Sequence, residues 1–243
     1  MTLDDLKVFT AARQGFGGIE LALRRGISEL TQGEAGTVRI TTGATTVRHF
    51  MSEAVVEFRF RHPRASLEFL TASSSGGCFA ALLEDDLDLA WVTISDDAVP
   101  GIEQRPVMDL QWVLAMRSGE AYSDRAWVEV SDLSGLRLIR LPEGSSSAGK
   151  LDAALAEVSL AGRAGIADWD TALLLAGLGV GHAIVPALPG WQLLADGNVR
   201  CVPIRGLPPL TVGWAVRSWD ALSPLARTFA ESVSRNSRLR IAA

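Results

Sequence analysis

Three runs of hydroxyl-bearing residues stand directly before helical segments: Gly43-Ala-Thr-Thr46, Ser73-Ser-Ser75 and Gly144-Ser-Ser-Ser147. A hydroxyl at a helix start accepts a backbone N–H of the first turn. The remaining N–H groups there, backed by the helix dipole, attract carboxylate or phosphate groups. Plain capping explains any one of these runs. Three at equivalent points of one chain point to a polar or anionic ligand. Asp168-Trp169-Asp170-Thr171 opens a further helix, where Asp168 or Asp170 can serve as the cap. Trp169 can stack on a flat ligand or pack at an edge. The two carboxylates make that place less hospitable to a dianion.

Other chemistries find little support. His182 lies in the apolar run His182–Val185, where a lone histidine is more often a core residue than a ligand group. No Gly-x-Ser-x-Gly elbow supplies a nucleophile for it to activate. Cys78 follows Gly76-Gly77 near a helix start, which would favour a thiolate, but Cys201 falls in the other half of the chain and makes no redox pair with it. His49, His62 and His182 show no metal-ligand spacing. Gly177-x-Gly179-x-Gly181 follows a helix and enters a strand, the reverse of a dinucleotide fingerprint. Arg24, Arg25, Arg235, Arg238 and Arg240 read as solvated faces. No catalytic residue, metal or cofactor is expected.

The elements that position the hydroxyl runs follow from periodicity. Thr37–Thr42 is a strand, a helix runs from Gly43-Ala-Thr-Thr46 through Phe58, and Ser66–Ala72 is a second strand. Cys78–Glu84 is a helix and Leu87–Ile94 an apolar third strand. This βαβαβ order with short links implies parallel strands. Val107–Met116 is a strand that could cross to a second lobe. Arg137–Leu141 is a strand, and a helix covers about Lys150–Val158. A capped helix through Leu175 then feeds the strand His182–Val185 through three glycines and ends at Pro186. A short helix near Trp191–Leu194, strands Asn198–Pro203 and Leu210–Val216, and a helix from Ser223-Pro224 complete the order. The second half repeats the first in kind, giving two α/β lobes around a cleft.

The 243 residues allow one large or two small domains, and 48% apolar against 21% charged residues is globular. No window is long and apolar enough for a membrane span. Met1-Thr-Leu-Asp-Asp is acidic and lacks a leader core, so a cytoplasmic protein is expected. Two cysteines make no disulfide framework. A net charge of −5 opposes bulk attraction to nucleic acid.

At Gly33-Glu-Ala-Gly-Thr-Val-Arg-Ile40 the chain resembles the start of the effector-binding domain of LysR-type transcriptional regulators. Glu57-Phe-Arg-Phe-Arg-His-Pro63, Asp86-Leu-Asp-Leu-Ala90, Leu141-Pro-Glu-Gly-Ser145, Ala176-Gly-Leu-Gly-Val-Gly181 with Pro186, and Leu222-Ser-Pro224 continue the likeness in order over roughly 33–235. The resemblance implies α/β lobes of periplasmic-binding-protein type 2 around a central cleft, preceded by N-terminal helices. Its boundaries would be 1–34 for residual N-terminal and linker helices, 35–116 plus 214–243 for one lobe, and 117–213 for the other. The implied ligand positions are Thr45, Ser74, Ser75, Thr93 at the end of the third strand, Ser146 and Trp169. Thr46, Asp168 and His182 complete the candidates.

The resemblance departs at the N-terminus. Met1-Thr-Leu-Asp-Asp-Leu-Lys-Val-Phe9 resembles the first helix of the family's winged helix-turn-helix, and Ile19–Leu30 already resembles its linker helix. The residues between are too few for a recognition helix and wing. Autonomous DNA binding is therefore not expected. The expected partners are a small polar or anionic effector, a second copy in a dimer or tetramer, and a full-length regulator in hetero-association. The expected function is effector sensing that changes oligomer arrangement. The alternative is an enzyme that recruited the cleft after loss of the DNA-binding part, using His182, Asp168, Asp170 or the serine loops. A solute-binding protein is disfavoured by the missing leader.

Overall fold

The computed structural model describes residues 35–84, 87–140, 146–156, 158, 161–165, 168–188 and 197–241. The expected N-terminal helices and the short helix near Trp191–Leu194 lie outside these residues, as does the start of the third hydroxyl run before Ser146.

From the N-terminal side, β1 (Gly36–Thr42) leads into a helical run, α1, made of Ala44–Thr46, a π-helical segment Val47–Met51 and an α-helical segment Ser52–Arg61. β2 (Ala65–Thr71), α2 (Ser75–Glu84), β3 (Leu89–Thr93) and β4 (Glu103–Leu110) follow. The chain continues through β5 (Trp112–Arg117), β6 (Val128–Glu129), a 3₁₀ turn at Val130–Leu133, and β7 (Arg137–Arg140). Then come α3 (Ser146–Ala154), β8 (Ala161–Gly165), α4 (Trp169–Gly177), β9 (His182–Pro186), β10 (Val199–Arg205), β11 (Leu210–Val216) and α5 (Pro224–Ile241).

Hydrogen bonding sorts the strands into two sheets. One is five-stranded in the order β2-β1-β3-β11-β4, and the other six-stranded in the order β6-β10-β5-β9-β7-β8. β1, β2 and β3 are mutually parallel, as the βαβαβ reading requires, and β11 closes antiparallel on both β3 and β4. With α1, α2 and α5 the first sheet makes lobe I; with α3 and α4 the second makes lobe II.

The expected single strand Val107–Met116 is two strands. β4 belongs to the first sheet and β5 to the second, with Gln111 between them. The return crossing falls between Arg205 and Leu210. Sheet membership therefore assigns β5 to lobe II and β11 to lobe I, against expected boundaries at 116/117 and 213/214. In this run the exposed Asp109 and Gln111 alternate with the buried Met108, Leu110 and Trp112, the pattern of one half-buried strand, so the sequence marked no break. The crossings are tied together: Trp112 Nε1 donates to Pro208 O at 2.9 Å, and Ala187 N–H donates to Gln111 O at 2.7 Å.

Lobe I is packed around aromatics. Trp91 on β3 meets Trp214 on β11 edge-on at 5.0 Å, and Phe58 of α1 meets Phe229 of α5 at 5.4 Å. Such perpendicular pairs add to the burial term. The Trp214 indole donates to Ala230 O (3.1 Å) and Ser234 Oγ (3.0 Å), so the buried N–H that fixes α5 on the sheet is satisfied. Glu57 accepts from Ser232 Oγ at 2.7 Å, and that bond holds its carboxyl below the ordinary value.

In lobe II, Asp168 is the cap of α4, accepting from Thr171 N–H at 2.8 Å. The helix ends in a paired motif: Gly179 N–H donates to Ala176 O, and Val180 N–H to Leu175 O. Gly179 has φ +74, as this ending requires. Gly181 serves a different need, since a Cβ there would lie 2.7 Å from Arg137 O where β9 enters beside β7.

Candidate functional site

Each hydroxyl run follows a parallel strand and begins a helix, so topology brings their ends to one place. α1 starts after β1, α2 after β2 and α3 after β7, while α4 starts after β8. Ligands of open α/β sheets sit outside the carboxyl ends of strands, where helix N-termini present free N–H groups. A cavity of about 500 Å³ lies there, lined from lobe I by Thr45, Thr46, Ser74, Ser75 and Thr93, and from lobe II by Ser146, Asp168 and Trp169.

The hydroxyls are held in defined roles. Ser74 Oγ accepts from Gly77 N–H at 3.1 Å and caps α2. Ser75 Oγ accepts from Thr93 N–H at 3.0 Å, joining the α2 start to the end of β3. Ser146 Oγ accepts from Ser75 N–H at 3.2 Å, a contact that spans the lobes. In Ser75 and Ser146 the oxygen thus accepts a backbone N–H, and the hydroxyl proton is free of a role in these two bonds. Both Asp168 oxygens are engaged by Thr171, at 2.8 Å from its N–H and 3.0 Å from its hydroxyl. Among the described lining residues there is no Lys, Arg or His. A negative group here would be met by hydroxyls and helix ends rather than by a cation.

His182 does not line this cavity. It stands at the first residue of β9, opposite Leu138 near the start of β7, whereas the cavity lies past the other end of β7. Its Nε2 lies 3.0 Å from Glu120 Oε2. The sequence placed it in the correct strand but did not say which end of that strand meets the ligand space.

Phe50, Cys78, Trp91 and Ser147 also line the cavity and were not among the candidates. Phe50 and Trp91 rings lie 5.3 Å apart and form an aromatic wall. Trp91 was legible in principle, being two residues before Thr93 and so on the same face of the strand. Cys78 was hidden because the expected helix began at it, whereas α2 begins at Ser75 and turns both residues to one side. Burial pushes the Cys78 thiol above its usual value, with partial relief from the Thr41 hydroxyl. Burial likewise pushes Cys201 up to about 12. The described residues contain no group of three potential metal ligands, and no described helix is long and apolar enough to cross a membrane.

The LysR substrate binding domain profile matches residues 31–238. The chain belongs to the LysR substrate-binding domain family. Its fold agrees with solved LysR structures. The effector binding domain of QuiR in complex with shikimate is 18% identical, with TM-score 0.72, over 84% of this chain and 98% of that one. The BenM effector binding domain with its effector benzoate is 16% identical, with TM-score 0.72, over 86% of this chain and 95% of that one. An H2O2-bound cysteine mutant of OxyR from Corynebacterium glutamicum is 16% identical, with TM-score 0.74, over 100% of this chain and 78% of that one. At these identities the likeness shows the fold. No curated protein matches the chain in sequence. The LysR domain here therefore has an interlobe cavity whose polar wall comes from the starts of four helices.

Proposed function

We propose that the cavity is the effector site of a LysR-type sensor, and that its ligand is a small organic acid carrying a single carboxylate. The observation that carries this reading is the pair Ser75 and Ser146. Both side chains line one space from opposite lobes, each oxygen already accepts a backbone N–H, and each hydroxyl keeps a proton to donate. Such donors serve an anionic acceptor, and the helix starts add partial positive charge. Asp168 in the wall and the lack of a described cationic side chain there disfavour a dianion. Phe50, Trp91 and Trp169 suit a ring or flat carbon skeleton. Shikimate and benzoate, bound by two structural relatives, are both of this kind.

Binding between lobes favours the closed arrangement by the difference in affinity for closed and open states. The output is a changed arrangement of copies in a dimer or tetramer, with a full-length regulator as a second partner. Apolar residues on the surface supply a contact for another copy: Val56 and Phe60 on α1, Leu70 on the edge strand β2, Leu174 on α4 and Leu178 just past its end. The enzyme alternative would draw on His182, Asp168, Asp170 or the serine loops; of these, His182 stands outside the cavity wall and both Asp168 oxygens are engaged by Thr171.

The test is a thermal-shift panel of small mono- and dicarboxylic acids, followed by NMR of the mixture. A monocarboxylate that raises Tm saturably and is recovered unchanged supports the proposal. Stabilisation by dicarboxylates alone, or consumption of the acid, contradicts it.

A further inference from the structure

Asp170 is the second residue of α4, and the capping duty it could have filled belongs to Asp168. Its carboxylate instead reaches across to lobe I. Oδ1 lies 2.8 Å from His49 Nε2, and Oδ2 lies 3.5 Å from Arg48 Nη1. Both partners stand in the π-helical segment of α1, a wider winding than the α-helix and one often found where a helix serves a site. The next residue of that segment, Phe50, lines the cavity, as does Trp169, the neighbour of Asp170. The contact thus joins the two chain segments that carry the aromatic wall from either lobe.

Among the described residues, other polar contacts that bridge the lobes are of different character. Lys150 meets Asp96 at 3.1 Å, but the Asp96 side chain is 87% exposed, and such a pair contributes little. Ser75 meets Ser146 inside the ligand space itself. The His49 side chain is 3% exposed and Asp170 is 30% exposed. A nearly buried imidazole bonded to a carboxylate is costly to separate, because opening strands a polar group that water reaches poorly.

We propose that Asp170 is a positioning residue for the cleft: it latches α4 of lobe II onto the π-helical turn of lobe I and so sets the lobe separation at which the ligand is held. The latch touches neither cavity hydroxyl and works without ligand. The inference rests on the interlobe cavity being the binding site, yet its experiment needs no ligand, so the two readings fail separately.

The two cysteines make the experiment internal to one molecule. Cys78 lines the cavity, whereas Cys201 sits on β10 in the other lobe. Alkylation of the intact, ligand-free chain by iodoacetamide, resolved by peptide mass spectrometry, reports cleft opening at the buried Cys78, while the half-buried Cys201 serves as the reference for changes not local to the cleft. Asp170→Ala is expected to speed Cys78 alkylation about 10- to 100-fold, the factor that one hydrogen bond to a charged group carries, with Cys201 unchanged. Asp170→Asn keeps an oxygen that accepts from His49 and is expected to return the rate to within about twofold of wild type. His49→Ala added to Asp170→Ala should produce no further acceleration, since the first change already removes the contact that His49 makes with Asp170. The proposal is overturned by equal acceleration of both cysteines, by no acceleration of Cys78, or by an Asn variant as fast as the Ala variant.

Discussion

Replacing Ser75 by Ala removes one oxygen with two duties, and the two losses are read by different instruments. Ser75 is 9% exposed, and its Oγ accepts from Thr93 N–H at 3.0 Å. Without it the Thr93 N–H loses its partner at the cavity wall, where water can partly replace the lost acceptor. The cost is therefore at the low end of the usual penalty, about 1 kcal/mol. For a chain of this size that lowers Tm by roughly 2–4 °C. The second duty is the hydroxyl proton. A hydrogen bond to a charged group contributes about 1.5–3 kcal/mol, so Kd for a bound carboxylate should rise about 10- to 100-fold. Differential scanning fluorimetry of the ligand-free variant measures the first effect. Calorimetric titration with the acid that stabilises the wild-type protein measures the second. A variant with lowered Tm and unchanged Kd would show that the hydroxyl serves only Thr93, and would refute the donor reasoning.

Three further outcomes follow from other parts of the structure. Gly181→Ala places a Cβ 2.7 Å from Arg137 O, a backbone atom that cannot swing aside, and should cost about 1–3 kcal/mol. Gly149→Ala, in the exposed interior of α3 with open space at the Cβ, should instead raise Tm; thermal melts of both check the contrast. The Glu57 carboxyl is lowered chiefly by the Ser232 hydroxyl, so its stabilisation is fully present above the ordinary value of 4.5. It is lost as pH falls through the folded value below that. The Tm gap between wild type and Glu57→Gln should therefore hold at pH 6–7 and close on acidification below about 4.5; a gap constant down to pH 3 would refute it. Phe60→Lys and Leu174→Lys, at side chains 88% and 61% exposed, should each lower the oligomer mass seen by light scattering without lowering Tm.

Much of the cavity wall was legible because local chemistry and topology agree. Thr45, Ser74, Ser75 and Ser146 are hydroxyls at helix starts, and parallel strands carry those starts to one side of each sheet. A cap at Asp168 or Asp170 was legible from their place before an apolar run, and the structure gives it to Asp168. What escaped depended on long-range geometry. The contact of His49 with Asp170 joins residues far apart in sequence, and neither residue's neighbours signal it. The break at Gln111 was masked because Asp109 and Gln111 alternate with Met108, Leu110 and Trp112 as they would along one half-buried strand. Cys78 turned on the first residue of α2, and helix ends are the least sharply written feature of a sequence. The position of His182 illustrates the same limit, since a strand's residues name its core but not the end at which a ligand sits.

The most direct measurement is the structure of the protein crystallised with the monocarboxylic acid that raises its Tm most. The account predicts the acid between the lobes, with its carboxylate within hydrogen-bond reach of the Ser75 and Ser146 hydroxyls and its carbon skeleton against Phe50, Trp91 or Trp169. An acid bound outside the interlobe cavity, or bound inside it with its carboxylate turned away from both serines, would contradict the account.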